Sequence, residues 1–368
     1  MKKFRFLPLA LLSATLIFSA CSNDDDNDNG TSIPEDQQVK ILVVNEGSFQ
    51  SGNSTISAIM ADNSVNTDIY YSINNSRLGD TGQGIYMLGG NYYVTVSGSK
   101  KIEVLDGDTF EREEVIEYNS FSPYSICVLN ASEKTAAVSD PVNNKIYVLD
   151  YDENKITIAT NFGAPTYDMA SARGQILVTT SEWGDDGFVN KLYQNTITNI
   201  SNSFVEIEDV SPMDRAPLVV DGEYFVWAYT NEGLVRINPV TREVERTLYF
   251  NEIDEGQYQA SAYSARLAIS TTGDRLYFNV EQTTDSGTTR TFICNVSPYE
   301  PNFDNSGIFE VSGLNTLYNL AYSPYSNTIF ITDTDYVNSG KVIEYSLQGS
   351  KLNTYTVGVN PFYLFFIR

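Results

Sequence analysis

Aromatic rings, guanidinium groups and carboxylates recur in this chain close to where short apolar runs begin or end. Phe49, Arg77, Tyr124, Asp140, Tyr167, Trp183, Arg215, Tyr229, Tyr263, Asp333 and Tyr336 are the clearest of them. Rings offer flat faces for stacking, and carboxylates and guanidiniums offer hydrogen bonds, so such a set is suited to binding more than to bond-making. The sequence holds no histidine. That removes His-based triads, His-ligated zinc or haem, and the commonest general base near neutral pH. Cys127 and Cys294 fall in separate, distant apolar runs, which argues against a disulfide or a thiolate metal site and for two small buried hydrophobes. No glycine-rich phosphate loop joins a strand to a helix. The reading is therefore of a binding protein with no catalytic residue, resident metal or cofactor.

The elements that would hold these residues repeat. Seven short apolar runs each stop at a polar or small residue: ILVVN (41–45), YVTVS (93–97), TAAVS (135–139), ILVTT (176–180), FVWAY (225–229), LYFNV (276–280) and IFITD (329–333). Their ends are 41 to 53 residues apart, the length of four short strands with their turns. Turn residues separate four of the runs from a strand before them, at Gly89-Gly90-Asn91, Asn130-Ala131-Ser132, Asp221-Gly222 and Thr272-Gly273-Asp274. Third strands follow at 102–105, 145–149, 234–237, 291–294 and 342–345, and fourth strands at 155–160 and 243–250. No helical period is evident beyond the N-terminus. The pattern predicts an all-β chain folded as a seven-bladed β-propeller. The stretch 164–210 is the least regular, so six or eight blades stand as alternatives. A β-sandwich is disfavoured because it does not repeat at this period.

The two ends of the repeat fit each other. Pro361-Phe362-Tyr363-Leu364-Phe365-Phe366-Ile367 has the pattern of Pro123-Tyr124-Ser125-Ile126-Cys127-Val128-Leu129, a first strand, yet no second strand follows it. The run at 41–45 is a second strand with no first. A C-terminal strand that completes the N-terminal blade accounts for both and leaves few exposed sheet edges.

In such a ring the fourth-to-first and second-to-third connections share one side. That side collects the residues named above, and three of its loops are long: 46–53, 281–288 and 334–340. Loops on a rigid scaffold are where binding residues gather. Each residue also has a plainer role: Asp and Asn beyond a strand hold turns, and a Tyr in a first strand packs between blades.

The N-terminus reads as an address. Lys2, Lys3 and Arg5 precede an apolar run at 7–18, too short to span a bilayer, and Phe18-Ser19-Ala20-Cys21 resembles a bacterial lipoprotein box. The expected organisation is a signal peptide over 1–20, a lipid-anchored acidic tether over 21–38 with Cys21 lipidated, and the propeller over 39–368. Losing residues 1–20 removes three basic groups and no acid, which takes the net charge from −24 to −27. A chain this acidic does not bind nucleic acid through a basic patch.

Together the lipid cysteine, the acidic run Asp24-Asp25-Asp26-Asn27-Asp28, the opening Val43-Val44-Asn45-Glu46-Gly47-Ser48-Phe49 with Ser51-Gly52-Asn53, and the blade repeat resemble a Bacteroidetes family. These are the surface-exposed, cobalamin-binding propeller lipoproteins of the BtuG type, among the YncE-like propellers. The resemblance implies capture of vitamin B12 or related corrinoids outside the outer membrane and hand-over to a TonB-dependent transporter. It implies no enzyme. Two other readings stand beside it: a surface scaffold that docks another envelope component, and a calcium-dependent hydrolase built on Asp, Asn and Glu.

Overall fold

Where a strand lies within its blade decides how apolar it is. Second strands are covered on both faces by neighbouring sheets, so Thr135–Asp140 and Thr328–Asp333 are buried almost throughout. Fourth strands are rims, and Arg112–Glu117 and Lys155–Asn161 are mostly exposed and polar. This gradient makes the second strands stand out in the sequence as unbroken apolar runs.

In a computed structural model, residues 38–367 are described except 186, 202, 262, 263, 301, 302 and 304–306. The signal peptide, Cys21 and nearly all of the tether fall outside the described residues. The strands form seven four-stranded antiparallel sheets, a seven-bladed β-propeller. Blade two runs through Gly82–Leu88, Asn91–Val96, Lys101–Leu105 and Arg112–Glu117. Blade four, the least regular stretch of sequence, is complete: Thr166–Ala172, Gln175–Gly184, Gly187–Thr196 and Val205–Glu206. Its middle strands are ten residues each, so their hairpin is long and ends in exposed Trp183 and Phe188.

Closure is as expected. Pro361–Phe366 pairs antiparallel with Val39–Asn45, matching Ile41 with Phe366, Val43 with Leu364 and Val44 with Tyr363. Seven apolar clusters sit between successive sheets, and the one at the seam joins Ile41, Val43 and Ile59 to Phe330, Val342 and Tyr355. The seam is tight: a Cβ on Gly340 would lie 2.4 Å from Pro361 Cδ. Asn360, in the left-handed region at φ 55°, donates to Gly47 O at 2.8 Å and accepts from Thr334 Oγ1 at 2.7 Å. Two long loops of one face are thereby fixed to the closing strand.

Helix is present where none was expected. Ile69–Asn74 forms a short α-helix between the first two blades, started by Asp68, which accepts from Tyr71 N at 3.0 Å, and ended by Asn75 at φ 47°. Six residues are too few to display a 3.6-residue period. A second short helical piece, a 3-10 turn, spans Phe250–Gly256.

Candidate functional site: the channel mouth

First strands line the central channel, and a repeated irregularity at one end of them builds its mouth. In blade two Gly82 pairs with Val96 and Gly84 with Thr95, so Gln83 is an extra residue. The same shift leaves Tyr318 extra in blade seven, Phe362 extra in blade one, and Tyr167 and Asp168 opposite Thr179 in blade four. In blade three, Tyr124 N donates to Ser139 O at 2.8 Å and Ser139 N donates to Ser125 O at 3.0 Å, again two residues against one. A bulge re-aims the side chain it carries.

The bulged residues meet. Tyr167 and Tyr124 lie 5.3 Å apart at 89°, Tyr124 and Phe362 6.1 Å apart, Phe362 and Tyr318 5.6 Å, and Tyr318 and Tyr336 5.7 Å at 90°. Five rings from four blades thus form a continuous arc, with three edge-to-face contacts, a favoured geometry for aromatic pairs, and one tilted contact between Tyr124 and Phe362. Below and beside it is a cavity of about 320 Å³ lined by Gln83, Tyr86, Asp168, Arg215, Arg266 and Tyr363, among others. The guanidinium of Arg215 lies 5.6 Å from the centre of the Tyr167 ring.

The charged groups here are set by burial. Glu46 accepts from the Tyr318 hydroxyl; burial raises its pKa, against the pull of that bond and of Arg215. Asp168 accepts from Leu218 N at 2.7 Å and Ser125 Oγ at 3.3 Å, yet burial pushes its pKa up to about 6. Tyr124 and Tyr318 are raised, by burial first and then, for Tyr318, by the Glu46 charge. Gln83 Oε1 is buried with no hydrogen-bond partner among the described residues.

Among the residues singled out from sequence, Tyr124, Tyr167, Arg215 and Tyr336 converge on this mouth. Phe49, Arg77 and Trp183 are exposed on connections around it and do not line the cavity. Three more, expected to contact a ligand, are buried away from the cavity. Tyr229 is fully buried between blades five and six, its hydroxyl donating to Asn279 O at 2.7 Å and accepting from Ser261 N at 3.1 Å. Asp140 is buried and accepts from Ser122 N at 2.8 Å and Asn143 N at 2.9 Å. Asp333 is buried and accepts from Asn315 N at 2.7 Å and Thr316 N at 3.1 Å. Both aspartates hold the connection into their own blade's first strand, which gives the polar stop of these two apolar runs a structural purpose. Tyr263 lies outside the described residues.

Sequence reasoning passed over the roles of Glu46, Gln83, Arg266, Tyr318 and Phe362. A signal for two of them was present. Pro123-Tyr124, Thr166-Tyr167, Leu317-Tyr318 and Pro361-Phe362 occupy one position of the repeat, so aligning the blades would have grouped all four rings. A larger recess of about 940 Å³ lies along the outer flank of blade five, among Glu208, Asp209, Glu232, Glu243 and Glu245. It is open and acidic and has no aromatic arc. Among the described residues no cluster of three acids or cysteines has the geometry to hold a metal ion.

Fold and mouth together define a β-propeller with an aromatic-lined channel face. The chain belongs to the DUF5074 family, a domain of unknown function, which matches residues 40–349. No curated protein matches it in sequence. Among solved structures it resembles the hydrazine synthase of Kuenenia stuttgartiensis at 10% identity and a TM-score of 0.58, over 77% of this chain and 88% of that one. It also resembles the dihydro-heme d1 dehydrogenase NirN at 9% identity and a TM-score of 0.53, over 89% and 75%. A third is the Cps50 (Swd1) propeller domain of Myceliophteria thermophila, at 15% identity and a TM-score of 0.50, over 75% and 86%. At such identities the likeness is one of fold alone.

Proposed function

We propose that this protein captures vitamin B12 or a related corrinoid at the channel mouth and passes it to a TonB-dependent transporter of the outer membrane. It acts as a lipoprotein anchored through Cys21 outside that membrane, and it acts by binding, without a chemical step. The observation that carries this reading is the arc Tyr167–Tyr124–Phe362–Tyr318–Tyr336, a curved aromatic rim suited to a large, flat, partly apolar ligand. The cavity under it, about 320 Å³, sits at the small end of ligand pockets, so a corrin ring rests across the rim and sends one peripheral amide inward. Gln83 Oε1, buried and without a partner among the described residues, supplies an acceptor for that amide. A corrinoid carries its own axial ligand, so a chain without histidine meets its needs. The test is co-elution of the protein with cyanocobalamin in size-exclusion chromatography, followed through the visible absorbance of the corrin. Stoichiometric co-elution supports the reading, and free elution of all the corrinoid from folded protein overturns it.

The scaffold reading has one observation of its own. Trp183 and Phe188 pair at 5.0 Å on the tip of the long hairpin and are 77% and 57% exposed. Exposed aromatics of this kind are common at protein interfaces. Cross-linking at position 183 in cells that recovers a protein other than a transporter, together with no corrinoid co-elution, would favour it.

A further inference from the structure

The aromatic arc is interrupted on one side, and two arginines stand in the gap. Blades three, four, seven and one bring Tyr124, Tyr167, Tyr318 and Phe362 to the mouth. Blades five and six bring Arg215 and Arg266, just ahead of their first strands Val219–Val220 and Leu267–Ile269. Arg266 is only 7% exposed. It donates to Tyr318 O at 2.6 Å and to Ala265 O at 2.7 Å, and among the described residues it has no carboxylate partner within ion-pair distance. A buried guanidinium without an acid is unusual, because isolated buried charge is costly. The nearest acid to Arg215 is Asp214, 3.9 Å away, too long for a hydrogen bond. The acids that share the mouth are engaged elsewhere: Glu46 with the Tyr318 hydroxyl, Asp168 with Leu218 N and Ser125 Oγ. In a chain of net charge −24, two such cations facing one cavity form a local exception to the overall field.

We propose that Arg215 and Arg266 form an oxyanion subsite, which holds a phosphate or carboxylate group of a small molecule whose flat or apolar part lies against the aromatic arc. The planar fork of a guanidinium matches both groups. This inference goes beyond the corrinoid reading and does not depend on it. The test is calorimetric titration of the purified protein with inorganic phosphate, and separately with acetate, at constant ionic strength. Saturable binding of at least one anion at roughly millimolar concentration is expected. Arg215→Gln, whose side chain is half-exposed, should weaken it by about tenfold, or 1.4 kcal/mol. Arg242→Gln, on the outer flank of blade five, should leave it unchanged. Arg266→Gln should abolish it where that variant folds, and Arg215→Gln carries the test where it does not. Saturation by only one anion names the ligand's group. No saturation by either up to about 100 mM, or equal binding by the wild type and Arg215→Gln, overturns the subsite. Phosphate binding without cyanocobalamin binding would leave the subsite standing and remove the corrinoid.

Discussion

The two faces of the ring put the same kinds of residue to different use. Away from the channel mouth, connections are tight and their acids and amides are occupied by backbone. Asp106 accepts from Asp108 N and Thr109 N, Asp150 from Asp152 N and Glu153 N, Asn130 from Ser132 N, and Asn238 from Val240 N. Aromatics there are locked too: Phe225 is sandwiched between Arg173 and Arg236 at 4.1 and 3.9 Å. At the mouth, bulges push Tyr167, Tyr318 and Phe362 out of the ladder, and the rings contact one another around a cavity. Asp and Asn counts alone do not separate the faces. Turns consume carboxylates on the mouth side as well, Asp140 and Asp333 among them, so what separates the faces is the set of rings that bulges bring together at the mouth.

The comparison can be broken at its root by removing the strand that carries Phe362. Deleting residues 361–368 leaves Val39–Asn45 as an open edge and takes Leu364 and Phe366 out of the cluster at the seam. The expected outcome is loss of cooperative unfolding in a thermal melt, since the lost strand pairing and buried side chains outweigh the small net stability of a domain. Next in size is Asp168. Burial raises its folded pKa to about 6, above the ordinary aspartate value of 3.8, so the folded state holds the proton more tightly. Its stabilising contribution is complete below pH ~3.8 and lost as pH rises through about 6. Relative to Asp168→Asn, the wild type should lose up to about 3 kcal/mol across that window, read from denaturation midpoints at each pH.

Smaller effects sharpen the contrast. Asp140→Ala strips one buried and one part-buried backbone donor of their acceptor and should cost about 2 kcal/mol, against about 1 kcal/mol or less for Asp106→Ala on the opposite face, both by urea melts. Neither should change corrinoid binding. Trp183→Ala, at an exposed hairpin tip, should shift stability by no more than about 0.5 kcal/mol in the same melts.

Much of the fold was legible because burial and repetition coincide. Second strands such as Ile41–Asn45 lie between two sheets and must be apolar, and two of them end at an aspartate, Asp140 and Asp333, that the fold needs for its turn. The closing strand was legible for the same reason, as a copy of 123–129. The site was only half legible. Tyr124, Tyr167, Arg215 and Tyr336 were placed by their loops, whereas Tyr229 ended inside the core although it too ends an apolar run. In an alternating strand one residue of slippage reverses a side chain, and the mouth is built from such slippages. Gln83, Tyr318 and Phe362 face the channel because of bulges that depend on the neighbouring strand, which local sequence does not display. Arg266 escaped because arginine is rarely buried, and this one lies just ahead of the strand Leu267–Ile269.

The most direct test is calorimetric titration of cyanocobalamin into three forms of the protein: wild type, the Tyr124→Ala/Tyr318→Ala double variant, and Tyr224→Ala, which removes an exposed ring on the opposite face. The account predicts one-to-one binding by the wild type and by Tyr224→Ala, and a loss of about 100-fold in the double variant, or 2.7 kcal/mol. Equal affinity in all three forms, or no heat from a folded wild type, would contradict the assignment of the channel mouth as a corrinoid site.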